Sequence, residues 1–185
     1  MKDLTNLKTY IIDSDYPHEV DDAISFEIKE GNIKNLWIHI SNPSKLFLHD
    51  SNVDLNARKR NSSLYLIDQY VPMLPEDILE KANLAQNKIS ETISAAIEFN
   101  DDGSINNYEL TEAIIKPKYQ LTYEDVNEIL ESCKKSLHGL LICIHKFFLF
   151  PSFISNEIAS STSCGSSESI IYVFKLVKSF KYLKY

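Results

Sequence analysis

Residues 11–28, IIDSDYPHEVDDAISFEI, place five carboxylates (Asp13, Asp15, Glu19, Asp21 and Asp22) between two apolar runs that read as strand. Like charges this close raise one another's proton affinity and oppose compaction unless a cation or a set of donors offsets them. Ile11, Ile12, Val20 and Ile24 nevertheless hold the acids against a core. A chain with this segment must therefore bring an acidic loop to the end of a sheet and hold it there.

The flanking pattern gives the fold class. Ile24, Phe26 and Ile28 alternate with Ser25 and Glu27, and Leu36, Ile38 and Ile40 alternate with Trp37 and His39; Gly31 and Asn32 lie between. Period-two alternation around a turn signal predicts a hairpin of half-buried strands. Residues 50–60, DSNVDLNARKR, predict a short helix capped by Asp50 or Ser51. Ile93, Ala95, Ile97 and Phe99 mark another strand, and NDDGS turns the chain into INNYELTEAIIK. Thr122 is placed to cap a helix whose Val126, Ile129, Leu130 and Cys133 share one face. The expected class is mixed α/β (α+β), with antiparallel strands and short helices.

Composition divides the chain. Residues 133–185 hold all three cysteines and seven lysines against only Glu157 and Glu168, a local charge of +5 within a total of −7. Residues 1–132 therefore carry −12 and read as one unit, with 133–185 as a differently composed extension. An overall pI near 5.2 argues against a free-standing nucleic-acid binder, so any RNA or DNA contact must come from a local site. Three unevenly spaced cysteines give neither a disulfide framework nor a zinc pattern. The opening MKDLTNLKTY lacks the apolar core of a signal peptide, making a cytoplasmic location the expectation. His138, His145, Lys146 and Pro151 interrupt the apolar run near residue 140, and no membrane association is expected.

The acidic segment fits a hard divalent cation, and magnesium in particular, which takes oxygen ligands and keeps waters that leave room for phosphate oxygens. An EF-hand beginning at Asp13 fails, since its fifth, sixth and twelfth positions would be Pro17, His18 and Ile24. His18 has no second histidine at a metal-binding spacing and reads as a surface residue. The chain has no glycine-rich phosphate loop and no nucleophile elbow. Metal-assisted phosphodiester hydrolysis remains, with Asp13 at a strand end and Glu19, Asp21 and Asp22 returning at the next strand.

Four ordered blocks carry a resemblance: DLTNLKTYIIDSDYPHEVDDAISFE, LWIHISNPSKLF, DLNARKRNSSLYLIDQYVPMLPE and GSINNYELTEAIIKPKYQLTYEDV. Together they resemble the RNB catalytic domain of the ribonuclease II and ribonuclease R exoribonucleases, over about residues 3–132. The resemblance implies hydrolysis of single-stranded RNA from the 3′ end to nucleoside 5′-monophosphates with Mg2+. It implies that Asp13 and Asp22 coordinate metal and that Asp21 is the aspartate most directly needed for cleavage. Glu19 stands where many members have Asp, keeping the charge one methylene further out, and is carried as a third metal ligand. Tyr65 resembles the tyrosine that packs on the terminal nucleotide. Arg60 either helps position the RNA backbone or closes the helix that it ends. Asn42 occupies a place where the family usually has Asp.

The family's arginine-bearing motif, cold-shock domains and S1 domain have no counterpart in the remaining sequence. The expectation is therefore a truncated or frame-shifted exoribonuclease with weak or no processive activity. The alternative is a non-catalytic RNB remnant that binds a divalent ion or a partner without turnover.

Overall fold

The computed structural model describes residues 1–29, 32–100 and 104–134. The composition-distinct extension lies outside them, apart from Cys133 and Lys134, as do Gly31 and the middle of NDDGS. Among the described residues nine strands and three α-helices follow in order: β1 (Lys2–Asp3), β2 (Thr9–Asp13), β3 (Asp22–Lys29), β4 (Asn32–Ser41), α1 (Asn52–Arg60), β5 (Leu64–Tyr65), β6 (Tyr70–Val71), α2 (Glu76–Ala82), β7 (Ser90–Phe99), β8 (Ile105–Ile115), β9 (Tyr119–Thr122) and α3 (Tyr123–Lys134). A 3-10 helix, Pro43–Leu46, follows β4.

Seven strands form one sheet in the order β1-β8-β7-β4-β3-β2-β9, and β5 and β6 form a separate hairpin. The expected hairpin is β3–β4, antiparallel with Ile24 opposite Ile38 and Ser25 opposite Trp37. The strand expected at 93–99 begins earlier, at Ser90, and pairs with both β4 and β8. Two parallel pairings, β1 with β8 and β2 with β9, make the sheet mixed. This is the expected α+β class.

Sheet alternation sends apolar side chains to both faces. One cluster joins Leu4, Ile11, Val20, Ala23, Trp37, Leu84, Ala96, Ala113 and Ile115; a second joins Leu36, Ile38, Ala95 and Ile97, with Phe26 and Ile40 against it. Each fully buried Ile or Leu contributes about 1.5–3 kcal/mol of transfer free energy, offset by the cost of ordering the chain. A third cluster of Ala57, Leu74 and Ile78 joins α1 to α2. The caps explain the helix starts. Ser51 accepts from the Asp54 N–H, and Asn61 ends α1 in the left-handed region at φ 65°. At α3, Thr122 Oγ1 accepts from the Asp125 N–H at 3.0 Å while Asp125 Oδ2 accepts from the Thr122 N–H at 2.7 Å, a reciprocal cap.

A buried polar chain crosses the middle of the sheet. Ser25, His39, Ser94 and Thr92 are linked in turn at 2.8 Å, and the Thr92 hydroxyl reaches the Ala113 carbonyl at 3.3 Å. With Thr92 donating to that carbonyl, the remaining protons are ordered. Ser94 donates to Thr92, His39 Nδ1–H donates to Ser94, and Ser25 donates to Nε2. Four strands are thereby cross-linked by a neutral imidazole, whose pKa burial pushes down to about 3 from 6.5. The sign follows from proton uptake. Below pH 6.5 the unfolded chain gains a proton at His39 that the folded chain refuses, so this stability is present above 6.5 and is lost as pH falls toward 3. Thermal melts between about pH 7.5 and about pH 5 are expected to show a loss approaching 1.4 kcal/mol per pH unit. A His39→Gln variant should melt lower at neutral pH but with a shallower acid slope; equal slopes would contradict the assignment.

Candidate metal and RNA site

The acidic segment leaves the sheet where two ladders separate. β2 pairs with β3 only at Thr9–Ser25 and Tyr10–Ile24, then continues beside β9 until Asp13 lies opposite Thr122. β3 stays with β4 from Asp22 opposite Ile40, and the Ser41 N–H reaches the Asp21 carbonyl at 2.8 Å. Asp13 and the Asp21–Asp22 pair thus stand at the ends of neighbouring strands, with residues 14–20 looping between them. Asp13 Oδ1 accepts from the Ser14 N–H at 2.7 Å as the chain turns away, and Asp15 and Tyr16 are exposed.

Val20 anchors the returning chain. Its side chain is buried in the first cluster, its N–H donates to Asn83 Oδ1 at 3.1 Å, and its carbonyl accepts from the Leu84 N–H at 2.8 Å. Consecutive residues of an extended chain project to opposite sides. Asp22, in line with Ile24, is only 7% exposed, whereas Asp21 is half-buried.

Glu19, on the other side of Val20, faces the β5–β6 hairpin. Its Oε1 accepts from Ser63 Oγ at 2.6 Å and from the Tyr70 hydroxyl at 2.5 Å; Ser63 Oγ in turn accepts from the Met73 N–H at 2.9 Å. Burial, then the bond to Glu19, raise the Tyr70 pKa well above the usual phenol range, so Tyr70 stays a donor. The His18 ring stacks on Tyr70 at 4.3 Å and 7°, and Tyr65, opposite Tyr70 in the hairpin, lies tilted at 5.1 Å. Tyr65 is 62% exposed, as a stacking surface requires. Sequence reasoning missed Ser63, Tyr70 and Asn83, and left His18 as an isolated surface residue. Their contacts span 44 to 63 residues, so no local spacing announced them. Arg60 donates from Nη1 to the Pro72 carbonyl at 2.7 Å, tying the end of α1 to the chain beyond β6.

The donor set suits a hard cation. Asp13, Glu19, Asp21 and Asp22 offer only carboxylate oxygens, and Glu19 is oriented by two hydroxyls as metal-bound carboxylates commonly are. Among the described residues, however, the trio whose ligand atoms lie within 4.8 Å of one another is elsewhere, at His49, Asp50 and Asp54. That trio belongs to the start of α1. Arg58 pairs with Asp54 at 2.6 Å and with Asp50 at 3.4 Å, and the Asp50 N–H donates to Asp54 at 2.7 Å. Its charge is thus already balanced by a helix cap and an i,i+4 pair.

The anchoring of Val20 is directly testable. Asn83→Ala leaves a partly buried N–H without its acceptor and should lower unfolding stability by about 1–2 kcal/mol in urea titrations. A change within about 0.5 kcal/mol, the range of ordinary surface substitutions, would show that Asn83 is not holding the acidic segment.

Comparison with known proteins places this geometry in a family. The RNB domain model matches residues 1–163. The chain is 39% identical over 130 residues to a chloroplastic/mitochondrial ribonuclease II of Arabidopsis thaliana, covering 69% of this chain and 16% of that protein. It is 33% identical over 140 residues to ribonuclease R of Chlamydia pneumoniae, covering 75% of this chain and 20% of that one. Among solved structures it resembles Mycoplasma genitalium RNase R in complex with double-stranded RNA, with TM-score 0.65 and 28% identity over 73% of this chain and 24% of that chain. The chain therefore spans about a fifth of the length of these curated relatives. An acidic segment between β2 and β3, the mixed sheet that carries it and a family match over most of the sequence lead to one conclusion: the chain belongs to the RNB domain family.

Proposed function

We propose that this chain carries the acidic part of an RNB exoribonuclease centre, which hydrolyses single-stranded RNA from its 3′ end to nucleoside 5′-monophosphates with Mg2+. The observation that carries the reading is the position of Asp13 and the Asp21–Asp22 pair at one end of the sheet, with Asp22 buried. Asp13, Glu19 and Asp22 are the residues proposed to hold the ion. When bound, Mg2+ supplies a more acidic water and neutralises charge on the phosphate.

The protein's own part is positioning. Asp21, half-buried and fixed through its carbonyl to Ser41, is assigned to cleavage. Tyr65 offers an exposed ring on which any base can stack, a mode of grip that needs no sequence preference. Arg60, its guanidinium oriented by the Pro72 carbonyl, is proposed to steady the RNA backbone. A net charge of −7 gives little general attraction for phosphate, so turnover by these 185 residues alone should be slow and distributive.

Chromatographic analysis of products from single-stranded RNA provides the test. Nucleoside 5′-monophosphates should appear slowly with Mg2+ and not with EDTA, and Asp21→Asn should reduce their release by about 100-fold or more. Absence of Mg2+-dependent product, or equal release by the variant, would overturn the proposal.

A further inference from the structure

We propose that Tyr70 is a positioning residue that ties the Glu19 carboxylate to the aromatic shelf formed by His18 and Tyr65. One side chain then sets both the metal-facing acid and the surface for a nucleobase. The inference rests on the function proposed above and concerns a residue to which that function gives no role.

Tyr70 is engaged at both ends. Its hydroxyl donates to Glu19 Oε1 at 2.5 Å, while its ring stacks on His18 and packs against its cross-strand partner Tyr65. Ser63 donates to the same carboxylate oxygen, so both hydroxyls fall on Oε1 and, among the described residues, Oε2 is left for a cation. The reach of Glu19 matters here. An aspartate would be shorter by one carbon–carbon bond, about 1.5 Å, and would lose both hydroxyls without movement of the backbone.

The ring ladder gives the second half of the coupling. His18 is exposed yet lies nearly parallel to Tyr70, and Tyr65 tilts toward both rings, at 6.3 Å from His18. β5 and β6 are only two residues each, too short to hold an exposed ring by ladder hydrogen bonds alone. Aromatic packing across the pair supplies the remaining constraint. A base settling on Tyr65 therefore meets a surface held by the Tyr70 ring, while the hydroxyl of the same residue holds the acid next to Val20.

Two substitutions separate the hydroxyl from the ring. The 185-residue chain and its Tyr70→Phe and Tyr70→Leu variants are titrated with Mn2+ by calorimetry, and with a 5′-fluorescein oligouridylate by anisotropy in EDTA; thermal melts confirm folding. Tyr70→Phe should weaken Mn2+ binding about tenfold, the usual effect of removing a donor that orients a ligating carboxylate. Its oligonucleotide affinity should stay within about twofold, because the ring remains. Tyr70→Leu should weaken Mn2+ comparably and the oligonucleotide by about tenfold as well. Unchanged Mn2+ affinity in Tyr70→Phe, or unchanged oligonucleotide affinity in Tyr70→Leu, overturns the coupling alone. Failure of the unsubstituted chain to bind either probe overturns the proposed function and the coupling together.

Discussion

The arrangement of the acidic segment depends on Val20. Its N–H is held by Asn83, its carbonyl by the Leu84 N–H, and its side chain by the core that also buries Ile11, Ala23 and Trp37. Fixing one residue at backbone and side chain leaves its neighbours little choice. Glu19 is directed to the β5–β6 hairpin, and Asp21 and Asp22 enter β3 on opposite sides of the extended chain. The core thus works against carboxylate repulsion: apolar burial and two hydrogen bonds hold the acidic segment in place, and a bound cation would relieve what remains.

Much of the sheet was legible in the sequence because its signals are local. Alternation at Ile24–Ile28 and Leu36–Ile40 gave the β3–β4 hairpin, and Ser51 and Thr122 marked the starts of α1 and α3. What escaped was pairing at a distance. Nothing near Asp13 indicates that β2 takes, on its other edge from β3, a parallel partner more than 100 residues away, since parallel pairing leaves no turn signature. The helix α2 was also missed: its seven residues, Glu76–Ala82, are too few to show a helical period, and Pro75 precedes its first turn.

The site followed the same division. The acids and Tyr65 were visible as residue types in order, and the resemblance to RNB domains assigned them roles. The partners that orient them were not visible, because Ser63 and Tyr70 approach Glu19 only through the fold. The buried Ser25–His39–Ser94–Thr92 chain makes the same point in the core, where HIS and ISA read as ordinary strand until four strands assemble. A polar network with every hydroxyl used in one direction favours one strand register over a slipped one.

The divalent ion is proposed to sit at the strand ends among Asp13, Glu19 and Asp22, beside Asp21, and not at the more tightly grouped His49, Asp50 and Asp54. The most direct measurement is paramagnetic broadening of backbone amide resonances by substoichiometric Mn2+. With the ion at the strand ends, the Asp13, Ser14, Asp21 and Asp22 signals should be lost early while those of Asp50 and Asp54 persist. Broadening centred on His49, Asp50 and Asp54, with the Asp13 and Asp22 amides unaffected, would contradict it.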